Sequence, residues 1–107
     1  MNIDDLFFHD GIFEKLSIEG SAKCVFSLIV YENINSSKKN RVIFTIKNMK
    51  KIILAGEFDE VYINSLSSTI QDGRIVESFA GKKISLQLIG GYFECVGNIT
   101  FVLESLE

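Results

Sequence analysis

Proline and tryptophan are absent from the 107 residues, histidine occurs once and cysteine twice. With no proline, every residue keeps the backbone N–H that a β-ladder needs, so no segment is barred from lying between two neighbouring strands. Two cysteines are fewer than the disulfide frameworks of small secreted domains use. Cys24 and Cys95 sit in apolar contexts (Lys-Cys-Val-Phe and Phe-Glu-Cys-Val), which predicts two reduced thiols packed as small hydrophobes. A tetrahedral zinc site would need at least two further ligands from His9 and scattered acids, with no C-x-x-C or H-x-x-x-H spacing to supply them. The expectation is therefore no metal and no cofactor. No run approaches the ~20 apolar residues that span a bilayer. The first residues, MNIDDLFFHDG, carry acids where a secretory signal carries bases. These absences predict a cytoplasmic chain with no membrane partner.

Apolar residues form 47% of the chain and nine of them are phenylalanine. A chain of this length supports one domain, 1–107, and buries roughly two-thirds of its unfolded surface. Period-2 alternation dominates. In 12–19, IFEKLSIE, the residues Ile12, Leu16 and Ile18 are placed on one face. Gly20-Ser21 then turns the chain into 22–32, where Ala22, Cys24, Phe26, Leu28 and Val30 are placed on one face, so the two segments read as a hairpin. Polar NINSSKKN (33–40) reads as a loop. Strands follow at 41–47 and 50–56, separated by a turn at Asn48-Met49. Segment 57–68, EFDEVYINSLSS, lacks alternation and is expected as a short helix or irregular stretch. Segment 69–78 is a strand whose Asp72-Gly73 marks a bulge or a turn. The clearest alternation is 82–89, with Ile84, Leu86 and Leu88 inward. Gly90-Gly91 turns it into 92–97, and 98–107 is the last strand. The predicted fold class is all-β, mainly antiparallel: a seven- to eight-stranded β-sandwich or open barrel with one short helix or irregular segment.

The net charge of −3 is unevenly distributed. Residues 37–51 hold Lys38, Lys39, Arg41, Lys47, Lys50 and Lys51 and no acid, whereas acids outnumber bases on both sides. The basic stretch lacks the interleaved exposed aromatics of single-strand binders and matches no named nucleic-acid motif, so it reads as a solvated loop and strand edge. The acidic cluster Glu57-Phe58-Asp59-Glu60 reads either as a charged helical first turn or as a contact surface for a basic partner.

Catalytic constellations are scarce. A serine–histidine–acid triad would have to use His9, and no G-x-S-x-G elbow presents a nucleophile. A Cys–His pair would need Cys24 or Cys95, whose apolar strand contexts disfavour a thiolate. Flanked by Phe7, Phe8 and an Asp10-Gly11 step, His9 is expected at a structural corner, its imidazole satisfied by a backbone or carboxylate partner. The chain is not expected to be an enzyme, and no catalytic residue is assigned.

The succession FFHDG, VIFTIKNMKKIIL, EFDEVYINSL, IQDGRIVE and ISLQLIGGYFECVGNITFVLE resembles small bacterial β-proteins, among them the β-sandwich immunity proteins of contact-dependent growth inhibition and related polymorphic toxin systems. The likeness covers most of the chain as a general pattern, with His9-Asp10 and Gly90-Gly91 as its distinctive points. It implies a single-domain, cytosolic, non-catalytic antitoxin that neutralises a cognate protein toxin by binding it, a nuclease being one such toxin, as a monomer or in a 1:1 complex. Glu57, Phe58, Asp59, Glu60 and Tyr62 are the expected partner contacts, with Asp72 and Glu77 outlying. Two alternatives stay open: an assembly domain that pairs through an exposed strand edge, and a weak nucleic-acid binder that uses residues 38–51.

Overall fold

The computed structural model describes residues 6–33, 35, 37–56, 68–79 and 81–106. Six antiparallel strands cover most of them: β1 (Phe7–Glu19), β2 (Lys23–Tyr31), β3 (Lys39–Gly56), β4 (Ser68–Ser78), β5 (Gly81–Leu88) and β6 (Gly91–Ser105). They close into a barrel in the order β1-β2-β3-β6-β5-β4, with β4 returning to β1. The all-β antiparallel class holds, but among the described residues the strands number six where seven to eight are expected, and the barrel is closed rather than open. The helix or irregular segment expected at 57–68 falls on 57–67, outside the described residues, and Ser68 opens β4.

The miscount has a geometric cause. A strand rises ~3.3 Å per residue, so the 18 residues of β3 would run about 60 Å if straight, well beyond the longest extent of 37 Å. The strand must bend, and it bends where the sequence suggests a turn. Between Lys47, opposite Asn98, and Lys51, opposite Val96, the ladder carries a bulge, with Asn48 in the left-handed region at φ 51°. The corner is tied to the β1–β2 turn by the Met49 N–H, which donates to the Ala22 carbonyl at 2.8 Å. β6 bends alongside it. A Cβ on Gly97 would lie 2.8 Å from Ile46 Cγ2 and 2.9 Å from the Lys47 carbonyl oxygen, so only glycine lets the two strands turn in contact. The first halves of β3 and the last of β6 therefore extend a sheet with β1 and β2, while their other halves extend one with β5 and β4. This is how strands pass between two packed sheets at a corner.

The core is aromatic. Phe13, Phe26, Phe44 and Phe93 are almost completely buried, and their rings pack in series: Phe44 to Phe26 at 4.8 Å, Phe26 to Phe93 at 5.0 Å and Phe93 to Phe13 at 4.9 Å. Each such pair adds ~0.5–1.5 kcal/mol beyond the area it buries. Predicted inner faces are buried as expected on β2 (Cys24, Phe26, Leu28, Val30) and β5 (Ile84, Leu86, Leu88), except at Ala22, which lies exposed in the β1–β2 turn before β2 begins. On β1 the prediction fails. The strand starts at Phe7, not Ile12; Phe13 is the buried residue, and Ile18 is 57% exposed. A bulge between Phe13, opposite Leu28, and Lys15, opposite Ser27, shifts the inward parity from odd to even residues, so Phe13 and then Leu16 face the core. Asp72-Gly73 is neither a turn nor the bulge itself: both residues pair in register with Gln87 and Leu86, and the bulge lies just before them, between Ile70 and Asp72.

Candidate functional site

The β1 bulge places Glu14 on the outer surface of the β1-β2-β3-β6 sheet. There its carboxylate receives two parallel bonds from Arg41, Nε to Oε1 at 2.9 Å and Nη2 to Oε2 at 3.0 Å, and a third from the Ser27 hydroxyl at 2.9 Å. Bidentate pairing of this kind fixes both side chains. The Arg41 hydrogen bond holds the Glu14 carboxyl below its ordinary range against the opposing effect of burial. Arg41 Nη1 lies 3.7 Å from Glu104. These charges border an open groove of about 650 Å³ whose apolar lining includes Leu16, Val25, Phe26 and Ile43.

The other sheet carries a second polar constellation. Glu94 is only 6% exposed although it lies on the outer face of β6. The Tyr92 hydroxyl donates to its Oε1 at 2.6 Å, Lys51 Nζ lies 2.9 Å from its Oε2, and Lys83 Nζ lies 3.9 Å from Oε1. Tyr92 first, and Lys51 after it, lower the Glu94 carboxyl below its ordinary range, and the same hydrogen bond raises the Tyr92 phenol. A carboxylate stabilised in this way is a fixed anion at neutral pH; a general acid needs the opposite shift. Beside it, Asp72, Arg74, Lys83, Ser85, Gln87 and Tyr92 help to line a smaller hollow of about 320 Å³.

Of the residues expected to contact a partner, Glu57, Phe58, Asp59, Glu60 and Tyr62 lie outside the described residues. Asp72 lies on the outer face, where its Oδ1 accepts the Gly73 N–H at 2.8 Å. Glu77, paired with Lys82 at 3.2 Å, is an odd number of positions along the same strand, so the two acids occupy opposite faces of β4. The basic stretch is dispersed along β3 rather than gathered. Lys39 stands over the Tyr31 ring at 5.5 Å, Arg41 is held by Glu14, and Lys51 is held by Glu94.

His9 is exposed, and one of its ring nitrogens has a hydrogen-bond partner. Nδ1–H donates to the Gln71 carbonyl of β4 at 2.5 Å, and Nε2 lies 3.6 Å from the Asp10 carboxylate. The expected corner is present, with Asp10 in the left-handed region at φ 65°. Among the described residues, no group of three or more His, Cys, Asp or Glu side chains could hold a metal ion. Cys24 and Cys95, distant in sequence, share a hydrogen bond inside the barrel that, together with burial, pushes the Cys95 thiol up.

Glu14, Ser27, Tyr92 and Glu94 are not picked out in the sequence, and Arg41 is picked out only as part of the basic stretch. One signal for Glu14 is visible in the sequence: Phe13 and Leu16 are both apolar but of opposite parity, which a bulge at the residues between them reconciles. Glu94 carries no such mark, since alternation places it outside like any surface acid. No family model, curated protein or solved structure matches this chain. Among the described residues no helix is long and apolar enough to cross a membrane.

Proposed function

We propose that this chain is a non-catalytic binding protein of the inhibitor type: a cytoplasmic immunity protein that neutralises a cognate toxin by covering part of its surface. The observation that carries the reading is the groove on the β1-β2-β3-β6 sheet. Its floor is apolar, through Val25 and Ile43, and its rim is charged, through Lys15, Arg41 and Glu104. An apolar centre with a polar rim is the anatomy of a protein–protein interface. The Glu14–Arg41 fork gives that rim a fixed shape before any partner arrives, which lowers the ordering cost of association. Glu57, Phe58, Asp59, Glu60 and Tyr62 belong to the proposed contact set on the strength of their sequence. Their acids suit a nuclease, whose phosphate-binding groove is basic.

The test is titration of the chain into the protein encoded by the gene immediately upstream, with toxin activity and complex mass as readouts. A 1:1 complex and loss of toxin activity are expected. Val25→Asp should weaken binding by roughly tenfold or more, since central interface residues dominate affinity, and circular dichroism should show that the variant remains folded. Failure to form any complex would overturn the reading, and unchanged affinity of the folded Val25→Asp variant would remove the groove from it.

A further inference from the structure

A closed barrel leaves no strand edge only if neighbouring strands are equally long. Here they are not. β5 runs alongside β6 only as far as Lys82, opposite Gly97, so residues 98–104 of β6 have a ladder partner on the β3 side alone among the described residues. Three other stretches are one-sided in the same sense: 15–19 of β1, 51–56 of β3 and 72–77 of β4. Each of those is guarded by the devices that discourage edge pairing, namely charges and bulges. The β1 stretch follows a bulge and carries Lys15 and Glu19. The β3 stretch follows the corner bulge and begins with Lys51. The β4 stretch follows a bulge and carries Asp72, Arg74 and Glu77.

The β6 stretch, Asn-Ile-Thr-Phe-Val-Leu-Glu, is the least guarded. Its register with β3 is unbroken from Asn98 to Glu104, it contains no lysine, and its single charge stands at the far end, 3.7 Å from Arg41 of the same chain. Outward-facing Val102 is 62% exposed. Phe101 and Leu103 pack against the core from the inner face and are only partly covered.

We propose that this edge pairs with the same edge of a second copy, antiparallel, about a twofold axis through Val102. Side chains alternate between faces with a period of two, so only registers that set outer residues against outer residues are allowed. With Val102 opposite Val102 of the second copy, Phe101 faces Leu103 of the second copy and Thr100 faces Glu104 of the second copy. Apolar residues meet apolar ones, no like charges oppose, and the partly covered Phe101 and Leu103 gain neighbours. The contact is self-complementary, as a twofold dimer requires, and it doubles the width of the β1-β2-β3-β6 sheet.

Light scattering during size-exclusion chromatography, from low micromolar to near-millimolar loading, tests this. The mass should rise with concentration from 12.0 kDa towards twice that value. Val102→Lys and Val102→Glu should each stay monomeric while folded, with dimer dissociation constants raised roughly tenfold or more by like charges at the axis. An equimolar mixture of the two should dimerise again. A wild-type chain that remains monomeric throughout, a Val102→Lys variant that dimerises as tightly as wild type, or a mixture that stays monomeric would each overturn the proposal.

Discussion

The barrel is held by two seams of unlike construction. Between β3 and β6 the backbone ladder runs from Asn40 opposite Ser105 to Gly56 opposite Gly91, interrupted only by the corner bulge. Between β1 and β4 the ladder amounts to Ile12 opposite Thr69 and Phe13 opposite Ser68. Side chains finish what the backbone leaves undone there. His9 donates across to the Gln71 carbonyl. Phe8, 93% buried by its 7% exposure, lies over Gly73, where a Cβ would come within 2.8 Å of its ring. Phe13 reaches from the same strand into the aromatic core. One seam is thus specified by strand length and a glycine at the corner, and the other by three aromatic or heteroaromatic side chains within six residues of sequence, 8–13. A long ladder distributes its stabilisation over many weak bonds, whereas a short one concentrates it in a few groups, so the two seams should respond differently to single substitutions.

The largest effect should come from Phe13→Ala. The side chain is fully buried and contacts both Phe26 and Phe93, with centroids at 5.9 Å and 4.9 Å. Truncating a buried phenylalanine costs ~3–5 kcal/mol, a large share of the ~5–15 kcal/mol by which a domain is stable. Chemical denaturation should show a clearly lowered midpoint with the slope retained. A loss below about 1 kcal/mol would mean that the short seam is not held by its aromatic residues.

Gly97→Ala attacks the long seam at its corner. The new methyl group would press on Ile46 Cγ2 and on the Lys47 carbonyl, and the carbonyl belongs to the ladder and cannot swing aside. Overpacking of this kind costs ~1–3 kcal/mol. The expected signature in thermal unfolding is a moderate loss of stability, with amide exchange accelerated most around 46–51 and 96–98. Unchanged stability would show that the corner relaxes freely and that β3 and β6 do not depend on glycine to bend together.

The same contrast explains what could be read from the sequence. β2 and β5 are straight, unbulged and evenly alternating, so their inner faces are legible residue by residue. In β6 the odd-numbered residues alternate inward through Phe93, Cys95, Gly97, Ile99, Phe101 and Leu103, and a period-2 pattern unbroken across Gly97 belongs to one strand, not two. The corner in β3 is harder, because Lys47-Asn48-Met49-Lys50-Lys51 has the composition of a turn and a bulge uses the same residues. The β1–β4 seam is least legible: its members are more than fifty positions apart, and each bulge reverses the parity on which face assignment depends. The outer-face sites share that difficulty. Glu14 and Arg41 are separated by 27 positions, and Lys51 and Glu94 meet only because β3 and β6 turn the corner together, which no local pattern announces.

The smallest predicted effect discriminates best between the seams. In His9→Ala the hydrogen bond to Gln71 is lost, but the imidazole is 57% exposed and water can replace it at the carbonyl. The net cost of one hydrogen bond is ~0.5–1.5 kcal/mol, and replacement by water places this one at or below about 1 kcal/mol. The loss should be local. Native-state hydrogen exchange should quicken at Ile12, Phe13 and 69–71, where the ladder is short, and stay unchanged at Phe44 and Phe101, where β3 and β6 pair along their length. His9→Asn supplies the control, since its side-chain amide can donate from nearly the position of Nδ1 and should restore most of the protection. Exchange that quickens equally at both seams would mean that His9 acts on global stability alone, and exchange that changes at neither would mean that Phe8 and Phe13 close the barrel without it.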